Sequence, residues 1–145
     1  MSWLETYRGT VYRWEVDNVD HFTVAYYFDR FGDATANALE ALHLGPAILG
    51  RAPQRTGGGT LRAVTADCYV RYLHELRAGD SVLVKSGLLH LGNSSMRTLH
   101  KMFNARTDAL VATLSQMGVH LDMAARRPTP LPDALRERAK AMLVA

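Results

Sequence analysis

A single cysteine, Cys68, is the only thiol in the 145 residues of this chain. No disulfide can close within it, so a reducing compartment, the cytoplasm, is the expected setting. Cys68 has no Cys-x-x-Cys partner, and its strand-like surroundings predict a small buried thiol. Long apolar runs are also missing. Nothing approaches the length that spans a bilayer, and Met1-Ser2-Trp3-Leu4-Glu5 has neither the basic start nor the apolar stretch of a signal peptide. Dense basic runs are absent too: 17 Lys and Arg against 14 Asp and Glu leave a net charge of +3, which suits a phosphate-bearing ligand but supplies no nucleic-acid arm. There is no internal repeat and no low-complexity tract. With 48% hydrophobic and 21% charged residues, the composition excludes disordered and fibrous classes, and residues 1–145 read as one globular domain.

Residues 10–16 are rich in β-branched and aromatic side chains and predict a first strand. Asp17-Asn18-Val19-Asp20 then predicts a sharp turn, because Asx side chains bond nearby amides and tolerate left-handed geometry. From Val24 to His43 the period changes. Val24, Tyr27, Phe28, Phe31, Thr35, Ala38, Leu39 and Leu42 fall on one face, which predicts a long amphipathic helix capped by Thr23 and stopped by Gly45-Pro46. Within it, Tyr26-Tyr27-Phe28 reads as core rather than a stacking platform. Gly50 to Gly59 reads as a flexible connection. The remainder is strand-like over Thr60–Leu73, Ser81–Leu91, Met96–Ala105 and Ala109–Met123, joined by short reversals, with a short helix over Pro132–Leu143 whose Leu135, Ala139 and Met142 share a face. Consecutive strands with tight links imply an antiparallel sheet of about five strands, and one long helix is available to cover it. The class is α+β, a curved sheet wrapped around a central helix.

Several residues have chemistry to offer. Asp17 precedes the long helix, whose first amides near Thr23, Val24 and Ala25 lack partners and carry the positive end of its dipole. A carboxylate there can attack an acyl carbon, or activate a water, while those amides hold the acyl oxygen. It can equally be a turn-builder. His21, beside Asp20, is either a carboxylate-oriented base or a hydrogen-bonding strut. His90, His100 and His120 lie in strands at spacings that match no metal motif, so no metal is expected. Thr56-Gly57-Gly58-Gly59-Thr60 lacks the Gly-Lys-Ser/Thr ending of a phosphate loop and reads as linker. Arg126-Arg127 can meet phosphate or simply be solvated.

Taken in order, these motifs resemble the hotdog-fold acyl-CoA thioesterases of the 4-hydroxybenzoyl-CoA thioesterase class. Arg13-Trp14-Glu15-Val16-Asp17 is similar to that family's Arg-Trp-x-x-Asp, and Asp20-His21 stands at its Gly-His pair. Tyr72-Leu73 with Arg77-Ala78-Gly79-Asp80 resembles its turn into the third strand, Leu91-Gly92-Asn93-Ser94-Ser95-Met96 its Leu-Gly-x-Ser-Ser segment, and Pro128-Thr129-Pro130-Leu131-Pro132 its tail. The resemblance implies hydrolysis of an acyl-CoA thioester without a cofactor, coenzyme A being part of the substrate. Asp17 is then the nucleophile or general base, the Val24 amide the oxyanion donor and His21 a positioning residue. It also implies that Asn93, Ser94, Ser95, Arg126 and Arg127 meet coenzyme A, and that the chain forms a homodimer or homotetramer with the acyl site between subunits. Neither nucleic acid nor membrane is an expected partner. Two positions depart from the pattern: Asp20 replaces the glycine, and Thr23-Val24 stands where Asn-Asn is common. A second carboxylate in contact with Asp17 would raise one pKa of the pair, which alters the pH dependence or favours a cationic acyl group. Hydrolysis on an acyl carrier protein, or acyl-CoA binding without turnover, are the alternative activities.

Overall fold

A computed structural model describes residues 3–42 and 61–144. Its long helix, α1, runs Val24–Ala41, with Thr23 at the N-cap but without a side-chain capping bond. The expected end at His43, the Gly45-Pro46 stop and the Gly50–Gly59 connection lie outside the described residues. The inward face is turned from the one that apolar spacing predicts. Tyr27, Arg30, Phe31, Ala34 and Ala38 are buried, whereas Val24 and Phe28 are 54% and 42% exposed. Arg30 can lie inward because it finds partners there: its Nη2 donates to Glu15 Oε1 at 2.5 Å and to Thr10 O at 3.2 Å.

Strands β1 (Leu4–Thr10), β2 (Leu61–Tyr72), β3 (Ser81–Leu91), β4 (Ser95–Asn104) and β5 (Leu110–Asp122) pair antiparallel in the order β1-β3-β4-β5-β2. A two-residue β6, Arg127–Pro128, adds to β5; it is too short to leave a periodic trace in the sequence. The four later strands lie where alternation predicts them. The first does not. Residues 10–16 are not a strand: β1 precedes them, and Arg13–Glu15 form a 3-10 turn. There Glu15 accepts the Tyr12 N–H at 2.9 Å as well as the Arg30 guanidinium, so a buried carboxylate overrides local β propensity.

Tyr27, Phe31 and Ala34 of α1 pack on Val82 and Val84 of β3, Met102 of β4, and Val111 and Leu114 of β5, with Phe22 and Leu76 closing one end. At the other end Ala38 and Leu42 meet Leu88, Met96 and the inward face of α2 (Asp133–Lys140), namely Leu135 and Ala139. Where β1 stops, the C-terminal segment takes its place along β3. Leu88 N–H donates to Met142 O at 2.8 Å, and Val144 N–H to Leu88 O at 2.9 Å. β2 is a sheet edge, and Cys68 on it is exposed rather than buried; a strand with a neighbour on one side has less to bury against. Among the described residues no helix is long and apolar enough to cross a membrane.

A polar chain runs through this core. Thr6 Oγ1 and Ser86 Oγ are 2.8 Å apart, Ser86 Oγ and His100 Nδ1 2.5 Å, and His100 Nε2 and Thr35 Oγ1 3.0 Å. His100 is fully buried, and burial pushes its imidazole from 6.5 down to about 4. A base with a depressed folded pKa binds fewer protons folded than unfolded, so its contribution is intact above about pH 6.5 and is lost as the pH falls towards about 4. The unfolding free energy should drop by about 3 kcal/mol across that window. Urea unfolding of His100→Gln at several pH values checks this: the decline should flatten, and an unchanged slope would remove His100 as its cause.

Candidate functional site

Asp17 begins the loop between the 3-10 turn and α1. Its Oδ1 accepts the N–H groups of Val19 and His21, each at 3.0 Å, while Asp20 N–H donates to Asp17 O at 3.0 Å. An antiparallel bridge between Val16 and Phe22 closes the loop. The Asx turn expected from the sequence is therefore present, and it leaves Oδ2 without a hydrogen-bond partner among the described residues. The amides of His21 and then Val19 hold the exposed Asp17 carboxyl below the ordinary aspartate range. Asp20 adopts φ 60°, a left-handed geometry that glycine enters at no steric cost, which gives a physical reason for the glycine of the resembled pattern.

Val24 and Ala25 open α1 and have no acceptor one turn back within it. Thr23 makes no side-chain cap; its own N–H donates to Glu15 O at 2.9 Å, and Tyr26 N–H returns to Thr23 O at 2.9 Å. The amides of Val24 and Ala25, at the positive end of the helix dipole, thus have no partner within α1. His21 is oriented by a carboxylate, but not by Asp20: its Nε2 lies 2.6 Å from Glu75 Oε2. Arg77 takes the other oxygen at 2.8 Å, and its hydrogen bond, followed by the charge of His21, holds the Glu75 carboxyl below its usual value. Beside these groups opens a cavity of about 290 Å³, lined by His21, Val24, Phe22, Tyr27, Tyr72 and Glu75 among others. Sequence reasoning missed Glu75, and it used Tyr72 only as a turn marker.

Asn93, Ser94 and Ser95 form the β3–β4 turn, at the opposite end of β3. There the structure does join segments distant in sequence: His120 N–H donates to Ser94 O at 2.7 Å, and Leu131 N–H to Asn93 O at 2.9 Å. Arg136 of α2 clamps the same turn, donating to Gly92 O at 2.9 Å and Asn93 O at 2.8 Å; only the apolar face of α2 was legible, and Arg136 carried no motif. Arg126 (φ 57°) and Arg127 are exposed in the adjoining β5–β6 reversal. Within one chain the two groups of predicted site residues stand apart by the length of β3, 11 residues or roughly 33 Å at about 3.3 Å per residue. Among the described residues, no three His, Cys, Asp or Glu gather as a metal site.

A family model described as the thioesterase-like superfamily matches residues 11–139. A protein of Agrobacterium fabrum, L-carnitine dehydrogenase/betainyl-CoA thioesterase, is 32% identical over 120 residues, 83% of this chain, and the chain spans 23% of that relative's length. The crystal structure of a thioesterase from Thermus thermophilus, complexed with coenzyme A and Zn, matches at 25% identity with a TM-score of 0.76, covering 95% of this chain and 93% of that one. The 1,4-dihydroxy-2-naphthoyl-CoA thioesterase from Synechocystis shares the fold at 16% identity, with a TM-score of 0.79 and 96% of each chain covered.

The left-handed position gives a direct check on the loop. Asp20→Gly should match or exceed the parent in stability, while Asp20→Val should lose about 1–2 kcal/mol. Equal urea midpoints for the two variants would rule out φ 60° at this residue.

Proposed function

The chain belongs to the thioesterase-like superfamily and has the hotdog fold, and from that premise we propose that it hydrolyses acyl-CoA thioesters to a free acid and coenzyme A. The observation that carries the reading is an exposed Asp17 carboxylate, anchored by the amides of Val19 and His21, in the loop whose His21 lines an open cavity together with Val24 at the uncapped start of α1. In this mechanism the thioester oxygen accepts the Val24 N–H. Asp17 then attacks the carbonyl carbon, or takes the proton of a water that does. A C–O bond forms, the C–S bond breaks, and the coenzyme A thiolate leaves; where Asp17 itself attacks, water then opens the mixed anhydride to free the acid and Asp17, and where water attacks, Asp17 passes the proton it took to the thiolate. The charge that develops on oxygen does so at the positive end of α1, where fixed amides need no reorganisation. His21 positions rather than reacts: its amide holds Asp17 Oδ1, and its ring is tied to Glu75. The chemistry calls on no cofactor. A cytoplasmic setting suits the exposed, unpaired Cys68.

A thioester that meets both groups of site residues needs a second copy of the chain. β2 is an unpaired edge with Val64, Tyr69 and Tyr72 exposed, and α1 exposes Val24 and Phe28 alongside. Antiparallel pairing of two such edges would set the Asp17 end of one protomer beside the Asn93 end of the other. In the resulting homodimer, or a homotetramer of such pairs, one protomer holds the acyl group. The other offers Asn93, Ser94 and Ser95 to the pantetheine arm, and Arg126 and Arg127 to the phosphates. As for the acyl group, the Agrobacterium relative is named for betainyl-CoA, whose acyl part ends in a quaternary ammonium.

Asp17→Asn keeps the turn's hydrogen-bonding capacity but removes the charge, so turnover in a thiol-release assay should fall about a hundredfold or more with folding retained. Near-parent turnover would remove Asp17 from the chemistry, and thioester binding without thiol release by the parent would favour a binding module instead. Light scattering at micromolar concentration should give a dimer or tetramer of the 16.1 kDa chain; a lone monomer would contradict the shared site.

A further inference from the structure

The face of the sheet turned away from α1 sets two like charges side by side. Val82, Val84, Ser86 and Leu88 of β3 are buried on the inner face, so alternation turns Lys85 and Gly87 outward. Lys85 pairs in register with Lys101 of β4, which makes the two side chains direct cross-strand neighbours, a destabilising arrangement for like charges. The nearest carboxylate in register is engaged elsewhere: Glu5 stands opposite Lys85 on β1, but its two oxygens are held by Arg8 at 2.8 and 3.0 Å. Arg97, farther along β4 on the same face, has Asp67 and Ser115 as partners. Among the described residues neither lysine forms an ion pair. What lies beside them is aromatic. The Lys101 ammonium is 4.5 Å from the centroid of the Trp3 ring, and the Lys85 ammonium 5.8 Å from that of Phe103. Gly87 lets the indole lie against β3, since a Cβ there would stand 3.2 Å from the ring. Trp3, Lys85, Lys101 and Phe103 together line a cavity of about 160 Å³.

That lining selects its occupant. The space is smaller than the roughly 300–1,000 Å³ of sites for drug-sized ligands, so the fit is to a compact group. A second copy of the chain is opposed by the same charges, because a two-fold contact across this face would set lysine against lysine. A carboxylate brings one negative charge to two cations. A phosphoryl group brings about −1.5 to −2 near neutral pH, with three acceptor oxygens for the N–H groups of both lysines, and a diphosphate brings more of each.

We propose that this pocket on the outer face of the sheet is an anion site, which takes a phosphoryl or diphosphate group between Lys85 and Lys101. It lies on the opposite face from α1 and is also distinct from the arginines of the β5–β6 reversal: Arg127 pairs with Asp122 at one end of β5, and Lys101 with Thr113 towards the other. The assignment stands independently of the thioesterase reading.

Trp3 reports on the pocket directly. The chain has two tryptophans, Trp3 and Trp14, so Trp14→Phe leaves Trp3 as the sole indole. In that background its fluorescence should change saturably as pyrophosphate is added at constant ionic strength, and acetate should not reproduce the change. Lys85→Gln and Lys101→Gln should each weaken binding about fivefold or more. Lys101→Arg keeps the charge and should retain binding, which tells a loss of charge apart from a loss of fold. Arg126→Ala together with Arg127→Ala should leave the titration unchanged. ADP carries the same diphosphate on a nucleoside: binding of both anions assigns the site to the diphosphate wherever it is carried, binding of pyrophosphate alone assigns it to the free anion, and either result upholds the proposal. No saturable response in the Trp14→Phe protein would overturn it. So would a response that survives the combined Lys85→Gln and Lys101→Gln changes, or one that disappears with Arg126 and Arg127.

Discussion

The position of the candidate site depends on one buried ion pair. Glu15, between β1 and α1, and Arg30, within α1, are each 5% exposed. Burial by itself would raise the Glu15 carboxyl, but the hydrogen bond from Arg30, the Tyr12 amide and the guanidinium charge outweigh it and leave the group below its ordinary value. Removing one member of such a pair typically costs about 3–5 kcal/mol, because the other is left buried and uncompensated. What the pair organises is backbone. Arg30 reaches back to Thr10 O at the end of β1, Glu15 Oε1 accepts the Tyr12 N–H, and Glu15 O accepts the Thr23 N–H. The segment that leads into the Asp17 loop is therefore pinned both to α1 and to the residue before it.

The same pair explains where the sequence could be read and where it could not. Helix α1 and strands β2 to β5 announced themselves through period, since each buries a face against a neighbour that any such fold supplies. Residues 10–16 looked like a strand because β-branched and aromatic side chains crowd there, yet the deciding contact is made with Arg30, 15 positions beyond Glu15. No local window contains it. Arg30 itself was hidden for the same reason: an apolar-face count assigns arginine to water unless its carboxylate partner is known. Cys68 misled in the opposite direction, since strand propensity does not say which strand lies at an edge.

The site was legible in part, and for two different reasons. Spacing alone made Asp17 a turn residue next to a helix start, and both halves of that description hold in its bonds to Val19 and His21. Position before the helix left chemistry and turn-building both open, and resemblance is what favoured the chemistry. Glu75 and Arg136 left no signal, and Tyr72 only that of a turn, because their places exist only after folding brings the β2–β3 connection to the start of α1 and lays α2 along the β3–β4 turn. Motif order also hid a separation. Asp17 and Asn93 belong to one pattern in the sequence, but they stand at opposite ends of β3.

Glu75 links the two parts of the Asp17 end. One of its oxygens holds the His21 imidazole and the other holds Arg77, while the amide of His21 donates to the Asp17 carboxylate. The β2–β3 connection is thus tied to the loop before α1 through one imidazole, and that imidazole's own residue fixes the Asp17 carboxylate through its amide, with no other side chain between them.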